Sequence, residues 1–437
     1  MKRTIAIAAL VLAAANIYAQ DTSKVSVKPY GFVRNYLNFD SRQMVTVCGG
    51  EYLMIPSDED WNLSEAEAES LGAERHRFDR NAVAQTHLLA LSTRFGVALT
   101  GPMVLGAKAS GRVEGDFAGF GSNNTVLRLR LAYVNLDWRR HSLLVGQDWH
   151  PLSGSVMPDV LGMAAGAPFR PHSRTPQVRY SFATPSGFGF TAVALWQYQF
   201  TSPGPDGESA KYANQTLFPE LFAGIGYRSA RFYGQLGVDY TCLTVNREIP
   251  VTAYLGSTPL YTTLLTNTCQ ALSPTLYMQY TGSRLSVKMR TTLASNLAHL
   301  NMLSGYAYAT TDGSDLLLRP VHASVSYLNL AWTVAGTADK GVVANLFLGY
   351  QKNLGLGAGY AVAGSFADNL YMKKGIKNVN SLYRVAPSVC YNTRHFNLGL
   401  EYEWTAVTYG DIKNDASVDP KRQVSGHRLC MLVKYNF

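Results

Sequence analysis

Residues 424–437, VSGHRLCMLVKYNF, decide the fold because apolar and polar side chains alternate along them. The apolar positions are Leu429, Met431, Val433, Tyr435 and Phe437, and the positions between them include Arg428, Lys434 and Asn436. A period of two puts successive side chains on opposite faces of a β-strand. A strand that is apolar on one face, polar on the other and aromatic at its end suits a membrane barrel. A half-buried strand of a soluble sandwich is the alternative.

The same alternation recurs in three other segments. In residues 105–116, 284–293 and 396–404, charged or polar side chains occupy one face and aliphatic or aromatic side chains the other. Each segment has about the length that a tilted strand needs to cross a bilayer. Charges repeated at every second position are hard to place inside a soluble core. These segments therefore favour a membrane barrel over a soluble sandwich.

Connections of two kinds separate the strands. Short, turn-type connections are predicted at 100–102, 139–141, 185–187, 229–230, 282–283, 337–340 and 392–394. Mostly longer connections are predicted at 40–82, 117–123, 150–175, 201–215, 248–266, 298–319, 353–381 and 409–423. Membrane barrels have short periplasmic turns and longer extracellular loops. The sequence therefore predicts an all-β fold, a 16-stranded antiparallel transmembrane β-barrel with both termini periplasmic.

The start of the chain indicates export. Two basic residues precede an unbroken apolar run over residues 5–15, and the small residue Ala19 follows shortly afterwards. This layout is typical of a secretory signal peptide, and the run is too short for a spanning helix. We therefore expect residues 1–19 to be a signal peptide and residues 20–437 to form an outer-membrane β-barrel.

The end of the chain indicates the destination. A last strand that finishes with Tyr435 and Phe437 resembles the C-terminal signal by which bacterial outer-membrane proteins are recognised for insertion. We therefore expect the barrel-assembly machinery as a partner, and lipid and lipopolysaccharide around the finished barrel in the outer membrane of a Gram-negative cell. No nucleic acid is expected as a partner.

The cysteines exclude a disulfide-built scaffold. The chain has 5 cysteines, an odd number at wide spacings, and they form neither a disulfide framework nor zinc-type pairs. Unpaired thiols are the expected state. A bridge between Cys242 and Cys269, on strands either side of one loop, is the alternative.

The inner wall is predicted to be basic. Sixteen strands enclose an aqueous channel, whereas about eight enclose a filled interior. Extending the alternation places these basic residues inward: Lys28, Arg34, Arg94, Lys108, Arg112, Arg128, Arg130, Arg179, Arg284, Lys288, Arg290, Arg384, Arg428 and Lys434. The acidic candidates are Glu114, Asp116, Asp239, Glu401 and Glu403. A channel lined by one sign of charge concentrates solutes of the opposite sign, and arginine grips carboxylate and phosphate with two hydrogen bonds. The alternative is that many of these arginines pair with wall carboxylates and only hold the shape of the barrel.

The third long connection, residues 150–175, is the candidate constriction. Its prolines fix much of the backbone and remove N–H donors, which suits a loop folded inward against the wall. The polar side chains expected at the narrowest point are His150, Asp159, Arg170, His172 and Arg174, and the arginines and His172 are expected to make it positive. An external loop whose prolines limit proteolysis is the alternative.

A family resemblance runs through the same region. Its motifs are GQDWHP at 146–151, MPD at 157–159, GAPF at 166–169 and RTPQVRY at 174–180. This block resembles the corresponding block of Bacteroidota outer-membrane porins and is more distantly similar to the DcaP-type dicarboxylate porins of Proteobacteria. The resemblance implies a sixteen-stranded, trimeric channel that passes small anions. It also implies that Arg170, Arg174 and Arg179 lie near the substrate path.

The first long connection, residues 40–82, is the acidic extracellular loop of the predicted barrel. Seven acidic residues fall between Ser57 and Glu74, and Ser64 followed by Glu67 predicts a capping box that opens a short helix. The segment folds over the mouth, clasps a neighbouring subunit, binds a divalent cation or simply presents a solvated face.

The predicted function is a porin, a passive diffusion channel for small hydrophilic solutes that prefers anions such as carboxylates and phosphate. A non-channel structural or adhesive outer-membrane protein and a barrel enzyme are the alternatives. The chain has no G-x-S-x-G elbow and no H-E-x-x-H motif. His150, His172 and Asp159 are the one grouping suited to acid–base or metal chemistry, and no nucleophile stands beside them. We therefore expect no catalytic residue, no metal ligand and no cofactor.

Overall fold

The structure is a computed structural model that describes residues 25–47, 52–119, 126–154, 156–162, 165–250, 254–255, 258–259, 262–313 and 315–437. The predicted signal peptide, residues 1–19, lies outside the described residues. The wall strands are β1 (Ser26–Asp40), β2 (Arg94–Val104), β3 (Ala107–Asp116), β4 (Arg128–Asp137), β5 (His141–Trp149), β6 (Arg174–Ala183), β7 (Phe188–Leu195) and β8 (Glu220–Arg228). They continue with β9 (Phe232–Pro250), β10 (Thr262–Thr281), β11 (Leu285–Ser295), β12 (Leu317–Gly336), β13 (Gly341–Gly355), β14 (Val379–Asn392), β15 (Phe396–Ile412) and β16 (Val418–Asn436).

These strands form one closed sheet. Each strand pairs antiparallel with the next, from β1 to β16. β16 then pairs antiparallel with β1, where Phe32 lies opposite Asn436. At this seam the backbones of Gly31 and Phe437 exchange hydrogen bonds of 3.2 and 3.1 Å. The predicted 16-stranded antiparallel β-barrel is therefore confirmed.

The predicted alternation is visible on β16. Arg428 and Cys430 are buried, whereas Leu429, Met431 and Val433 are 42%, 47% and 41% exposed. The exposed apolar side chains belong to the outer face, because the inner face is covered by the connections that fold into the barrel. An apolar outer band is what lipid favours and water does not. In the described part of the chain, no helix has the length and apolar character to cross a membrane.

One predicted turn is wrong. The sequence places a turn at 100–102, but β2 runs on and the chain reverses at Leu105 and Gly106, whose φ angles are 51° and 74°. The register of β2 against β3 shifts within the predicted turn instead. Pro102 has no N–H to donate, so the ladder bulges at this point rather than ending.

The eighth long connection is also much shorter than predicted. The sequence places it at 409–423, whereas only residues 413–417 lie between β15 and β16. Polar residues on both strands continue to pair beyond the apolar band, so composition alone ends the strands too early. On β4 the register against β3 shifts between Leu129 and Leu131, which is a β-bulge.

The remaining connections carry short elements. The strands are Met44–Val47, Tyr52–Pro56, Gln85–Leu89, Tyr254–Leu255, Thr258–Pro259, Gly305–Thr310, Ala361–Val362 and Leu370–Tyr371. The helical turns are Glu65–Ser70, Glu74–His76, Pro151–Gly154, Lys211–Asn214, Ala298–Leu300 and Phe366–Asn369. Gln85–Leu89 pairs with β1 and continues the line of β2, and Gly305–Thr310 pairs with β12.

The acidic first connection folds back onto the barrel. The capping box of Ser64 and Glu67 is confirmed. Arg422 of β16 holds Asp58 at 2.6 Å, and Arg42 holds Asp79 at 3.0 Å. Burial alone would raise the pKa of Asp79, but backbone N–H donors and the Arg42 guanidinium bring that pKa below its usual value. The segment is therefore attached to the strand ends rather than free in solvent.

The cysteines within the described residues are unpaired, as the sequence predicts. Four described cysteines are free, and Cys48 lies outside the described residues. Cys242 of β9 lies opposite Gln270, and Cys269 of β10 lies opposite Leu243. Residues directly opposite each other share a face of the sheet, so Cys242 and Cys269 project to opposite faces.

The apolar core sits inside the cylinder, where connections meet the wall. Leu152 and Phe169 of the third connection pack in one buried cluster with Leu300 and Met302 of the connection between β11 and β12. Phe347 of β13 joins them from the wall. Part of the interior is therefore filled by chain, and the polar inner wall is divided by it.

Candidate functional site

The third connection, residues 150–173, leaves the wall at β5 and returns at β6 but is held by the opposite wall. The backbone N–H groups of Leu161 and Gly162 donate to the Glu401 carboxylate of β15 at 2.8 and 3.1 Å. The N–H of Asp159 donates to Asn329 of β12 at 2.8 Å. These bonds place the connection across the inside of the cylinder.

Two wall glycines make room for this connection. A Cβ at Gly349 of β13 would lie 2.5 Å from the Phe169 ring. A Cβ at Gly399 of β15 would lie 2.4 Å from Leu161. Such distances are too short for any side chain, so both apolar side chains of the connection are seated against bare backbone.

Arg170 braces the connection from within. Its side chain is fully buried and donates to the carbonyl oxygens of Ala165 and Ser153 at 2.8 and 2.7 Å. It also lies 2.8 Å from Nδ1 of His172. Burial, together with the nearby guanidinium groups of Arg170 and Arg174, holds the pKa of His172 well below its usual value. His172 is therefore neutral near pH 7, contrary to the expectation that it adds positive charge.

Three arginine side chains lie near the Trp149 ring at the base of the third connection. The guanidinium carbons of Arg130, Arg170 and Arg174 lie 5.7, 5.4 and 4.9 Å from the Trp149 ring centroids. Arg174 also lies over the Phe200 ring at 5.5 Å. Cations over an aromatic face are attracted by its quadrupole, so the indole stabilises a concentration of positive charge where the connection begins.

Two other predicted path residues are tied to acids or to backbone. Arg179 donates to the Trp149 carbonyl at 2.6 Å and lies 3.3 Å from the Asp148 carboxylate. Lys288 of β11 lies 2.6 Å from Asp159. Asp159, Lys288 and Arg284 line an open cavity of about 450 Å³ at the short-turn end of the barrel.

Seven of the predicted wall cations lie against carboxylates. The pairs are Arg94–Glu114, Arg128–Asp116, Arg130–Asp116, Arg179–Asp148, Lys288–Asp159, Arg384–Glu403 and Arg428–Asp40. Arg128 grips Asp116 with two bonds of 2.9 Å, and Arg130 reaches Asp116 at 2.6 Å and Glu114 at 2.9 Å. For these residues the alternative reading, that pairing holds the shape of the wall, applies.

The other predicted wall cations have no carboxylate within 4.0 Å in the described ranges. They are Lys28, Arg34, Lys108, Arg112, Arg284, Arg290 and Lys434. Arg34 and Lys434 are cross-strand partners at the seam. Their charged groups lie 5.1 and 4.4 Å from the Phe32 ring centroid, and Arg94 lies 4.9 Å from it. Arg290 is buried over the Tyr277 ring at 4.7 Å.

The His150 ring makes its hydrogen bonds outside the group of predicted path residues. Its Nε2 is 2.6 Å from Glu220 of β8, and His299 also contacts Glu220, at 3.1 Å. The predicted grouping of His150 with His172 and Asp159 does not form, because His172 contacts Arg170 and Asp159 contacts Lys288.

The sequence did not single out Phe32, Glu220 or His299. Phe32 shares the inward face of β1 with Arg34, so the alternation contained that signal. No spacing rule joins His150 to Glu220, because 70 positions separate them. At the other end of the chain, Tyr435 is 52% and Phe437 61% exposed, which leaves both rings open to a membrane or to another protein.

Comparison with known proteins shows the fold. No protein-family model matches the chain, and no curated protein matches it. The outer membrane channel DcaP of Acinetobacter baumannii superposes with a TM-score of 0.62 at 15% identity, over 95% of this chain and 99% of that one. An anion-selective porin from Comamonas acidovorans gives 0.51 at 11% identity, over 95% and 100%. The chain therefore has the barrel fold of these outer-membrane channels.

Proposed function

We propose that the protein is an outer-membrane porin, a passive diffusion channel for small hydrophilic solutes that prefers anions such as carboxylates and phosphate. One observation carries the proposal: an arc of inner wall with more cations than acids, here called the basic arc. It runs over β16, β1, β2, β3 and β4. Its cations are Lys28, Arg34, Arg94, Lys108, Arg112, Arg128, Arg130, Arg428 and Lys434, and its carboxylates are Asp40, Glu114, Asp116 and Asp137.

The excess charge in the basic arc is what acts on solutes. Pairing with Glu114 and Asp116 cancels part of the field of the arginines, but Arg34, Arg112 and Lys434 have no acidic neighbour within 4.0 Å in the described chain. In a narrow, low-dielectric passage, uncancelled charge of one sign raises the local concentration of counter-ions. Arginine also matches the shape of carboxylate and phosphate groups.

The path that we propose runs between the third connection and the basic arc. The connection extends from β5 and β6 to β12 and β15, and its apolar side chains belong to one buried cluster with residues of β7 and β8. Solutes would therefore pass on the side of the arc, where Lys108 and Arg112 are exposed. Of the predicted path residues, Arg179 and Asp159 then border the narrowest region. Arg170, Arg174, His150 and His172 are buried behind it.

The cellular setting belongs to the same proposal. The apolar outer band, with Leu429, Met431 and Val433 exposed, supports contact with lipid and lipopolysaccharide. Tyr435 and Phe437 are proposed to be read by the barrel-assembly machinery. The resemblance to Bacteroidota porins supports a Gram-negative outer membrane, a Bacteroidota source, a homotrimer and both termini in the periplasm. A role as an enzyme is not proposed.

Solute entry into proteoliposomes tests the proposal. Purified protein is reconstituted, and the entry rates of labelled succinate and labelled putrescine are compared, because both are four-carbon chains of opposite charge. We expect both to enter faster than into protein-free liposomes and succinate to enter faster than putrescine. Absence of any entry would contradict a channel, and faster entry of putrescine would contradict the anion preference.

A further inference from the structure

Four ionisable side chains from separate parts of the chain meet inside the barrel, where β8 begins. Glu220 opens β8 and Asp239 lies on β9, while His150 and His299 come from two different connections. Nε2 of His150 is 2.6 Å from Glu220 and 3.9 Å from Asp239. Nε2 of His299 is 3.1 Å from Glu220. The exposed fractions of the four residues are 7% or less.

The hydrogen bonds of this cluster are unevenly distributed. Glu220 faces both imidazoles. Asp239 is 0% exposed, and neither of its carboxylate oxygens has a hydrogen-bond donor. Burial of a carboxylate without a hydrogen-bond donor or a cation is strongly unfavourable. Glu220 has imidazoles at 2.6 and 3.1 Å, whereas the His150 imidazole is 3.9 Å from Asp239, beyond hydrogen-bond distance. A bound cation would stabilise the charge of Asp239.

The hydrogen bonds of His150 fix its tautomer and leave it outside the proposed ligand set. Its Nδ1 accepts a hydrogen bond from the N–H of Leu152 at 3.1 Å, so the hydrogen of the neutral ring is on Nε2 and is donated to Glu220. His299 is different, because its Nδ1 has no hydrogen-bond partner in the described structure. Nε2 of His299 lies beside Glu220, and with the hydrogen of the neutral ring on Nδ1 it can act as a ligand. His150 orients the carboxylate as outer partners of metal ligands do.

We propose that Glu220, Asp239 and His299 bind a divalent transition-metal ion, with His150 orienting Glu220 from outside the ligand set. Imidazole nitrogen together with carboxylate oxygen suits Zn²⁺ and related ions. The two carboxylates balance the charge of one divalent cation. The ion would join the connection that carries His299 to the wall strands β8 and β9.

This proposal goes beyond the proposed function and does not depend on it. It also departs from the prediction that the chain has no metal ligands. That prediction rests on sequence spacing, whereas His299 and Glu220 are 79 positions apart and meet only in the folded barrel.

Metal binding to the purified protein tests the proposal. Chelator-treated protein in detergent is titrated with Zn²⁺ by calorimetry and, separately, with Co²⁺ by visible absorption. We expect one tight site per chain, a Co²⁺ spectrum typical of nitrogen and oxygen ligands, and a higher unfolding temperature after Zn²⁺ is added. Absence of a tight site in the wild-type protein would overturn the proposal without any variant.

Two variants separate this site from adventitious binding by exposed histidines. Asp239→Asn should weaken Zn²⁺ binding at least tenfold and abolish the rise in unfolding temperature. Asp159→Asn is the matched control, because Asp159 is also an inward carboxylate but is paired with Lys288; it should bind Zn²⁺ like the wild type. Equal loss in both variants, or no loss in Asp239→Asn, would overturn the assignment. Succinate entry serves as an independent readout, because the metal site and the channel can fail separately.

Discussion

Two neighbouring stretches of the inner wall use the same residue types in opposite ways. On β3 and β4, Arg128 and Arg130 are buried and gripped by Asp116 and Glu114. At the seam of β1 and β16, beyond the Arg428–Asp40 pair, Arg34 and Lys434 both lie near the Phe32 ring and have no carboxylate within 4.0 Å in the described chain. The paired stretch is built to hold the wall, because its charges are neutralised. Arg34 and Lys434 at the seam are expected to act on solutes, because no carboxylate neutralises them. A basic residue on a barrel wall therefore has to be judged by its partner before it is assigned to the path.

The largest expected effect is on the paired stretch. Asp116→Asn leaves Arg128 and Arg130 buried with one carboxylate fewer, and breaking a buried pair costs about 3–5 kcal/mol. We expect the free energy of unfolding in urea to fall by that order. Asp419→Asn is the control, because Asp419 and its partner Lys421 are half exposed and exposed ion pairs contribute little to stability. Similar losses in both variants would contradict the division between paired and open stretches.

The second prediction concerns the connection that narrows the lumen beside both stretches. Gly349→Ala places a methyl group 2.5 Å from the Phe169 ring, so the connection must leave its seat. We expect a changed single-channel conductance and faster proteolysis of the third connection. Gly101→Ala is the matched control, because its nearest neighbour would be at 3.7 Å. Unchanged conductance in Gly349→Ala, with an intact barrel, would contradict the role of Phe169 in fixing the connection.

The third prediction concerns the open stretch. Replacing Arg34 and Lys434 together by Gln removes charge without leaving a carboxylate unpaired. We expect the anion-to-cation permeability ratio to fall by about twofold or more, because focused charge acts on local ion concentration. Stability should change by only about 1 kcal/mol, as for other solvated charges. Lys374→Gln, in an exposed position outside the wall strands, is the control and should keep the wild-type ratio. A large loss of stability with unchanged selectivity would reverse the contrast between the two stretches.

The smallest expected effect is at the mouth. Hydrogen bonds and Arg42 lower the pKa of Asp79 despite its burial, so the folded state prefers the ionised carboxylate. This contribution to the attachment of the first connection is fully present above about pH 5, since unperturbed Asp titrates near pH 3.9. It is lost as the pH falls through the lowered pKa. Trypsin cleavage of residues 52–84, measured after brief exposure to each pH, should rise on acidification. Asp79→Asn should show the raised cleavage already at pH 7.

The fold was predictable from the sequence because the strands of a membrane barrel alternate apolar and polar side chains. Lipid on one face and water on the other force alternation, so residues 284–293 and 396–404 indicate strands without further context. The ends of the strands are harder to predict, because alternation is not required where a strand extends beyond the lipid. Pro102 looked like a turn because its missing N–H ends most ladders, and residues 409–412 looked like a loop because the strand there extends past the apolar band.

The site followed less well, because partners are set by packing across the lumen. The inward positions of Arg128 and Arg34 were predictable from the same alternation, but only the fold shows that Asp116 neutralises the first. The meeting of His150, Glu220 and His299 was not predictable, because it depends on how two connections fold inside the cylinder. His172 was expected to be charged, and only its burial next to Arg170 shows that it is neutral.

The reversal potential of the wild-type protein across a potassium chloride gradient in a planar bilayer tests the central claim most directly. The excess of cations in the basic arc predicts stepwise conductance and a reversal potential with the sign of a chloride-selective channel. A potassium-selective reversal potential, or folded protein that never conducts, would contradict it.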